Sequence, residues 1–263
     1  MKPKVKRWLT RSAFFGIASG VVCLCCLPRF LPHLLSWWRP DICFRGSAEH
    51  KRLFLTIDDS PSQSTPEILA VLKKHNVPAT FFIIGSRVHS DAQLKSLVDA
   101  GHQLGHHTHT HEQCSTMPIE RFSADFDLTD QLLRRFSTPR YFRPPYGAST
   151  AEQTAYVRSK GYRPVLGTVF PFDDRIHRPS TVALLVRWLA VPGGIVILHD
   201  GDVWGRTTTQ VLDDVLPALK RAGYTFDSLG PAVTNPQSGA NGRQPFGSEV
   251  NATSAAAASR RSP

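Results

Sequence analysis

The chain has 263 residues, 41% hydrophobic and 20% charged, an ordinary globular composition that excludes collagen-like, wholly disordered and polytopic membrane readings. A net charge of +10 would suggest nucleic acid, but the excess lies at the ends: residues 1–45 carry eight Lys/Arg against one acid, 232–263 three against one, and 46–231 twenty against nineteen. A near-neutral centre argues against a basic groove, so nucleic acid is not the expected partner.

Residues 1–45 read as a cytoplasmic basic stub, a membrane helix and a linker. Lys2, Lys4, Lys6, Arg7 and Arg11 precede the uncharged run 12–28. As a helix that run spans roughly 25 Å, against a hydrocarbon core of about 30 Å. Trp8 and Leu9, or residues 30–35, extend it. Positive charge before the run predicts a cytoplasmic N-terminus and an exported remainder. A cleaved signal peptide needs small residues just past the apolar stretch. Cys25, Cys26, Leu27, Pro28 and Arg29 stand there instead. The expectation is an uncleaved signal-anchor, with secretion after cleavage as the alternative. The Trp37-Trp38 pair suits a membrane-interface belt. Of five cysteines, only Cys114 lies beyond this head, so no disulfide framework holds the centre.

Residues 46–231 alternate between short β-rich runs and helical patterns. Strands are predicted at Leu53–Ile57, Thr80–Ile84, His102–Gly105, Tyr141–Phe142, Pro164–Thr168, Ile195–Leu198 and Thr225–Leu229. Helices are predicted at 66–75, 91–100, 119–136, 150–160, 181–190 and 209–222, several closed by Asn76 or by Gly101, Gly161 and Gly223. Such alternation implies an α/β fold with about seven parallel strands, a distorted or incomplete (β/α) barrel. From 232 the composition is that of a disordered tail, with a glycosylation sequon at Asn251.

In such barrels chemistry sits where strands end at their C-terminal side. Asp58-Asp59 follow the first strand, and His106, His107, His109 and His111 follow the third. Arg143 follows the fourth, Asp173-Asp174 come soon after the fifth, and His199-Asp200 follow the sixth. Carboxylates, imidazoles and a guanidinium thus gather on one rim. On a helical turn His107 and His111 would face one way, and two imidazoles with a carboxylate commonly hold a catalytic divalent metal. His102 and His106 share the four-residue spacing, so spacing alone leaves the pair open; a place for His102 inside a strand argues against it. On an extended stretch Asp58 and Asp59 point differently, so one can bind metal while the other serves as base. Cys114 reads as a small buried or loop thiol. Asp200 and Asp202 read as loop-ordering, His109 as facing solvent and Arg134-Arg135 as a solvated helix face.

These motifs resemble the polysaccharide deacetylase family, also called carbohydrate esterase family 4 with the NodB-homology domain, over about 50–230. The segments carrying the resemblance are Thr56-Ile-Asp58-Asp59-Ser-Pro, His107-Thr-x-x-His111, Arg143-Pro-Pro145-Tyr146-Gly147, Pro171-Phe-Asp173 and Ile197-Leu198-His199-Asp200. The resemblance implies a hydrolase that removes N-acetyl groups from amino sugars in a chitin-like or peptidoglycan-like glycan. It implies metal ligation, usually of zinc, by Asp59, His107 and His111, with Asp58 as base and His199 as acid. Arg143 would orient Asp58, Asp173 would tune His199, and the Tyr146 N–H would hold the oxyanion. Leu198, Pro145 and Trp204 would line the substrate pocket. Alternatives are a related deacylase on another amide or ester, and a catalytically dead, membrane-tethered glycan-binding protein. Three departures stand out. Ser60 replaces the usual Gly, the fourth motif lacks a common Trp, and Asp174 competes with Asp173 as the tuning acid.

Overall fold

The computed structural model describes residues 36–201 and 204–230, together with residue 34. The proposed membrane helix and the tail past 230 lie outside the described residues; among those described, no helix is long and apolar enough to cross a membrane.

Seven strands form one sheet: β1 (Arg52–Ser60), β2 (Thr80–Ile83), β3 (Gln103–His106), β4 (Tyr141–Phe142), β5 (Arg163–Pro164), β6 (Ile195–His199) and β7 (Thr225–Asp227). Between them run α1 (Thr65–His75), α2 (Asp91–Asp99), α3 (Ile119–Arg134), α4 (Ala151–Ser159), α5 (Pro179–Leu189) and α6 (Gly205–Arg221). The order is β5-β4-β3-β2-β1-β6, with β7 also on β1. Every pairing is parallel. The predicted alternation is therefore present, with boundaries moved by a few residues.

The largest difference is at the fifth strand, predicted over Pro164–Thr168. Regular pairing stops at Pro164, and the chain crosses toward β6, bridging Cys43 through Val165 and Val196 through Val169. Gly167 makes this crossing possible: a Cβ there would lie 2.6 Å from the Ile197 side chain. Arg45 bridges Gly194, so irregular segments, not an eighth strand, span the gap between β5 and β6.

Side chains alternate across each strand. Leu53, Leu55, Ile57, Phe81, Ile83, Leu104, Val196 and Leu198 join one cluster with residues of α1, α2, α5 and α6. Phe54, Phe82, Tyr141, Ile195 and Val165 form a second cluster on the opposite face of the sheet. Burial on both faces explains why β1 and β2 read as nearly continuous apolar runs. A third cluster joins Phe122, Phe126, Phe142, Val157 and Tyr162 around α3 and α4. Cys114 is a wholly buried thiol in that cluster, raised by burial to about 12. Arg134 and Arg135 are exposed at the end of α3, as expected of a solvated helix face, and pair there with Asp130 and Asp91.

Candidate active site

Alternation decides which polar residues reach the barrel mouth. Phe54, Thr56 and Asp58 share one face of β1; in register beside them on β6 stand Ile197 and His199. On β3, Gly105 lies against the Phe82 ring, where a Cβ would come within 2.7 Å, so the next residue on that face is His107. On β4 the same face passes from Tyr141 to Arg143.

By that rule Asp59 should point away from the mouth. It does not, because β1 carries an irregularity: between the pairs Ile57↔Phe81 and Ser60↔Ile83 it has one more residue than β2. Such a bulge re-aims a side chain. Asp59 takes a left-handed φ of +64° and returns to the mouth. The two carboxylates thus diverge through a bulge, not through simple extended alternation. The positive φ falls on Asp59 and not on Ser60, so replacing a glycine by Ser60 imposes no left-handed strain.

The His-rich segment also differs from its predicted form. Residues 107–111 are not a helical turn; Thr108 and His111 have φ of +65° and +60°. Thr108 and Thr129 hold this loop through the Thr108 hydroxyl to His107 O (2.6 Å) and the Thr129 hydroxyl to Thr108 O (3.0 Å). The buried Asp125 accepts the N–H groups of His109 (2.8 Å) and Thr110 (3.0 Å). His109 is half-buried, not solvent-facing, and its Nδ1 lies in the interior near Gly85. The rings of His107 and His111 approach to 5.0 Å.

Asp59 Oδ1 lies 3.1 Å from His111 Nε2 and 3.4 Å from His107 Nε2. Neither approach has hydrogen-bond geometry, which leaves a buried carboxylate oxygen unpartnered. His107 Nδ1 is 2.7 Å from Arg143 O; donating there fixes the tautomer and leaves Nε2 a free lone pair. One ligand atom from each of the three residues lies within 4.8 Å of the others. Burial pushes the Asp59 carboxyl up, but the two imidazoles, when protonated, outweigh it and hold it well below the usual carboxylate range. An ionised oxygen with two imidazole nitrogens fits a divalent metal with open coordination positions.

The competing histidines are already committed. His106 faces the other side of β3, stacked 3.9 Å on Phe126. Its Nδ1 accepts from Thr108 N–H and its Nε2 donates to Phe126 O, so neither nitrogen is free. His102 Nδ1 accepts from Ala79 N–H. Burial lowers both rings to about 4.

Arg143 is only 2% exposed. Its Nη1 donates to Asp58 Oδ1 (2.5 Å) and Thr56 Oγ1 (2.8 Å), while the guanidinium sits 4.1 Å over the Phe82 ring. Across the mouth, Asp173 accepts both His199 Nδ1–H (2.9 Å) and His199 backbone N–H (2.7 Å). The Thr208 hydroxyl lies 2.8 Å from His199 O and 3.2 Å from Asp173 Oδ2. Burial lowers the His199 imidazole, but Asp173, joined by Asp58 and Asp59, raises it to about 9. Asp173, Asp174 and His199 also lie within 4.8 Å of one another. Because both Asp173 oxygens are spent on His199, this group is a hydrogen-bonded acid–base pair rather than a second metal centre. Asp173, not Asp174, is the partner.

Around the mouth, Tyr146 is 72% exposed, with its ring 5.3 Å from His111. Pro145 is buried beside it. The exposed Phe172 packs 4.7 Å from Phe170, which lies 5.9 Å from His199. Trp204 stacks at 4.9 Å on His177. Leu198 is not part of this rim. It is wholly buried in the cluster shared with α6, because alternation turns it away from its neighbour His199. Asp125, Thr129 and Thr208 support the site and escape sequence reading. Their one visible signal is polar residues four apart, Asp125 and Thr129, on the buried face of α3.

A family profile described as polysaccharide deacetylase matches residues 45–165. The peptidoglycan-N-acetylmuramic acid deacetylase PdaA of Bacillus subtilis is 30% identical over 197 residues, covering 72% of this chain and 74% of that protein. A chitooligosaccharide deacetylase of Bradyrhizobium sp. is 33% identical over 201 residues, covering 68% and 89%. Among solved structures, the Bc1960 peptidoglycan N-acetylglucosamine deacetylase superposes with a TM-score of 0.71 at 27% identity, over 75% of this chain and 95% of that one.

Proposed function

This chain belongs to the polysaccharide deacetylase family, and from that premise we propose that it is a metal-dependent hydrolase removing N-acetyl groups from amino sugars of a chitin-like or peptidoglycan-like glycan. The observation that carries the reading is the buried, unpartnered Asp59 Oδ1 facing two imidazole nitrogens, with an Arg143–Asp58 pair and an Asp173–His199 pair in the same mouth.

Asp59, His107 and His111 would hold the ion, zinc by its preference for nitrogen and carboxylate ligands. When bound, such an ion polarises a carbonyl and lowers the pKa of water. Asp58 accepts the proton of the attacking water; Arg143 engages its Oδ1 and fixes its orientation. The departing amine is a poor leaving group until protonated. His199, raised to about 9, carries a proton to give at neutral pH. The N–H of Tyr146, in the left-handed turn after Arg143, would hold the oxyanion. The exposed rings of Tyr146, beside His111, and Phe172, packed on the Phe170 that approaches His199, would form an aromatic border suited to sugar faces, which Trp204 is proposed to extend. Pro145 backs that border.

The head supports export. Trp37 and Trp38, 75% and 72% exposed, follow the apolar run and suit the membrane interface. The catalytic domain would then lie outside the cytoplasm, tethered to the membrane. The deciding assay measures acetate release from chitin oligosaccharides, peptidoglycan and acetyl-xylan, with and without chelator. Chelator-sensitive release from an N-acetylated glycan is expected. Release from acetyl-xylan alone, or release indifferent to chelator, overturns the proposal.

A further inference from the structure

The ladder between β1 and β6 ends at the pair Asp58↔His199. One residue beyond it on each strand stand Asp59, in its left-handed turn, and Asp200, with no exposed surface at all. Asp200 N–H donates to Asp58 O at 2.8 Å. Its carboxylate collects three hydroxyls from the segment after Asp59: Ser60 to Oδ2 at 3.1 Å, Thr65 to Oδ2 at 2.5 Å and Ser62 to Oδ1 at 2.5 Å.

The polarity of this network runs one way. Ser62 N–H donates to Thr65 Oγ1 (2.8 Å) and Ser64 N–H to Ser62 Oγ (2.9 Å), so these hydroxyls accept from the loop and pass their own protons to Asp200. The packing around it is close. Ser64 donates to Gly201 O at 3.4 Å, and a Cβ on Gly205 would fall 2.2 Å from Ser64 Cβ. Where the family usually has glycine, Ser60 adds a third donor. Ser60 O meanwhile accepts Ile84 N–H, and Arg87 Nη1 donates to Asp59 O at 2.6 Å, holding the other side of the turn.

We infer that Asp200 is a positioning residue: its carboxylate latches the Ser60–Thr65 segment to the end of β6 and so aims Asp59 at His107 and His111. The inference rests on the metal-site reading above. It assigns Asp200 a task beyond ordering its own loop, since the element it holds is the turn of a ligand. Groups bonded directly to a metal ligand are worth about 10–100-fold in metal affinity, and Asp200, acting one step further out through the ligand's own turn, should reach the lower end of that range.

The test titrates the metal-free full chain with Co2+ alone, reading visible absorption and chelator competition, with thermal midpoints measured alongside. Asp200→Ala should weaken Co2+ binding at least tenfold. The double variant Ser62→Ala/Thr65→Val, which leaves the carboxylate but removes two of its donors, should show a loss of the same order. Combining the three changes should add little, and Ser60→Gly alone should cost a few-fold. Wild-type Co2+ affinity in Asp200→Ala, even with a lowered thermal midpoint, overturns the latch while leaving the metal site intact. If Asp200→Ala does not fold, unchanged affinity in the double variant has the same force. A wild-type chain that binds no Co2+ overturns the metal reading and this inference with it.

Discussion

Replacing Asp173 by Asn isolates the force that keeps His199 charged. Burial works against the imidazolium, and Asp173, bonded to Nδ1–H at 2.9 Å, reverses that and raises the ring from an ordinary 6.5 to about 9. At ~1.4 kcal/mol per pH unit, the difference is about 3 kcal/mol of preference for the charged ring. Asn keeps an oxygen for Nδ1–H but removes the charge; with Asp58 and Asp59 still offsetting burial, the ring falls back to about 6.5. At pH 8 roughly nine-tenths of wild-type rings carry the proton, against roughly 3% in the variant. With chitin oligosaccharide as substrate and metal saturating, kcat of Asp173→Asn should therefore fall about 30-fold at pH 8, yet stay within about twofold at pH 6.

The stability of the folded chain supplies a second reading of the same shift. The folded-state value of His199 lies above its unfolded value, so the pair's contribution is complete below about pH 6.5 and is lost as pH rises through about 9. The gap in thermal midpoint between wild type and Asp173→Asn should be widest near pH 6 and shrink toward pH 10. An alkaline limb that stays near 9 in the variant, or a rate loss equal at every pH, would refute the reasoning.

Asp58→Asn should retain metal and lose about 10²–10⁴ in rate, as measured by acetate release beside metal analysis; full activity would remove Asp58 from the role of base. His111→Ala should lose both metal and activity. His106→Ala, whose ring nitrogens are spent on Thr108 and Phe126, should lose thermal stability and keep its metal. Metal content by elemental analysis separates the two histidines. Leu198→Ala should lower unfolding stability by about 2–5 kcal/mol in denaturant melts, while leaving KM within twofold once folded. A large KM change with unaltered stability would return Leu198 to the substrate pocket.

Much of the fold is legible along the chain because local rules state it repeatedly. The apolar runs of β1 and β2, the turn residues after the helices and the β–α alternation each point to a parallel sheet, and the sheet bears them out. The order of the polar clusters at strand ends is legible for the same reason: a strand's C-terminal end is a position in the sequence as well as in space. Arg143 and Asp58 meet across 85 positions, yet each is announced by its own strand.

Other features depend on contacts that no local pattern encodes. Equal spacing makes His102/His106 and His107/His111 equivalent, and only the register of β3 against Phe82 and Phe142 puts His106 outside and His107 within. Strand periodicity taken alone sends Asp59 outward; one extra residue in β1 relative to β2, a property of the pairing, turns it back. Leu198 is adjacent to His199 in sequence but faces the opposite side of the sheet. Asp200 gathers donors more than 130 positions away. By itself, then, the sequence determined the kinds of element and the chemistry at their ends, because both follow from short-range pattern. Which face each side chain takes was decided only by the tertiary structure, since a shift of one residue between paired strands exchanges the two faces.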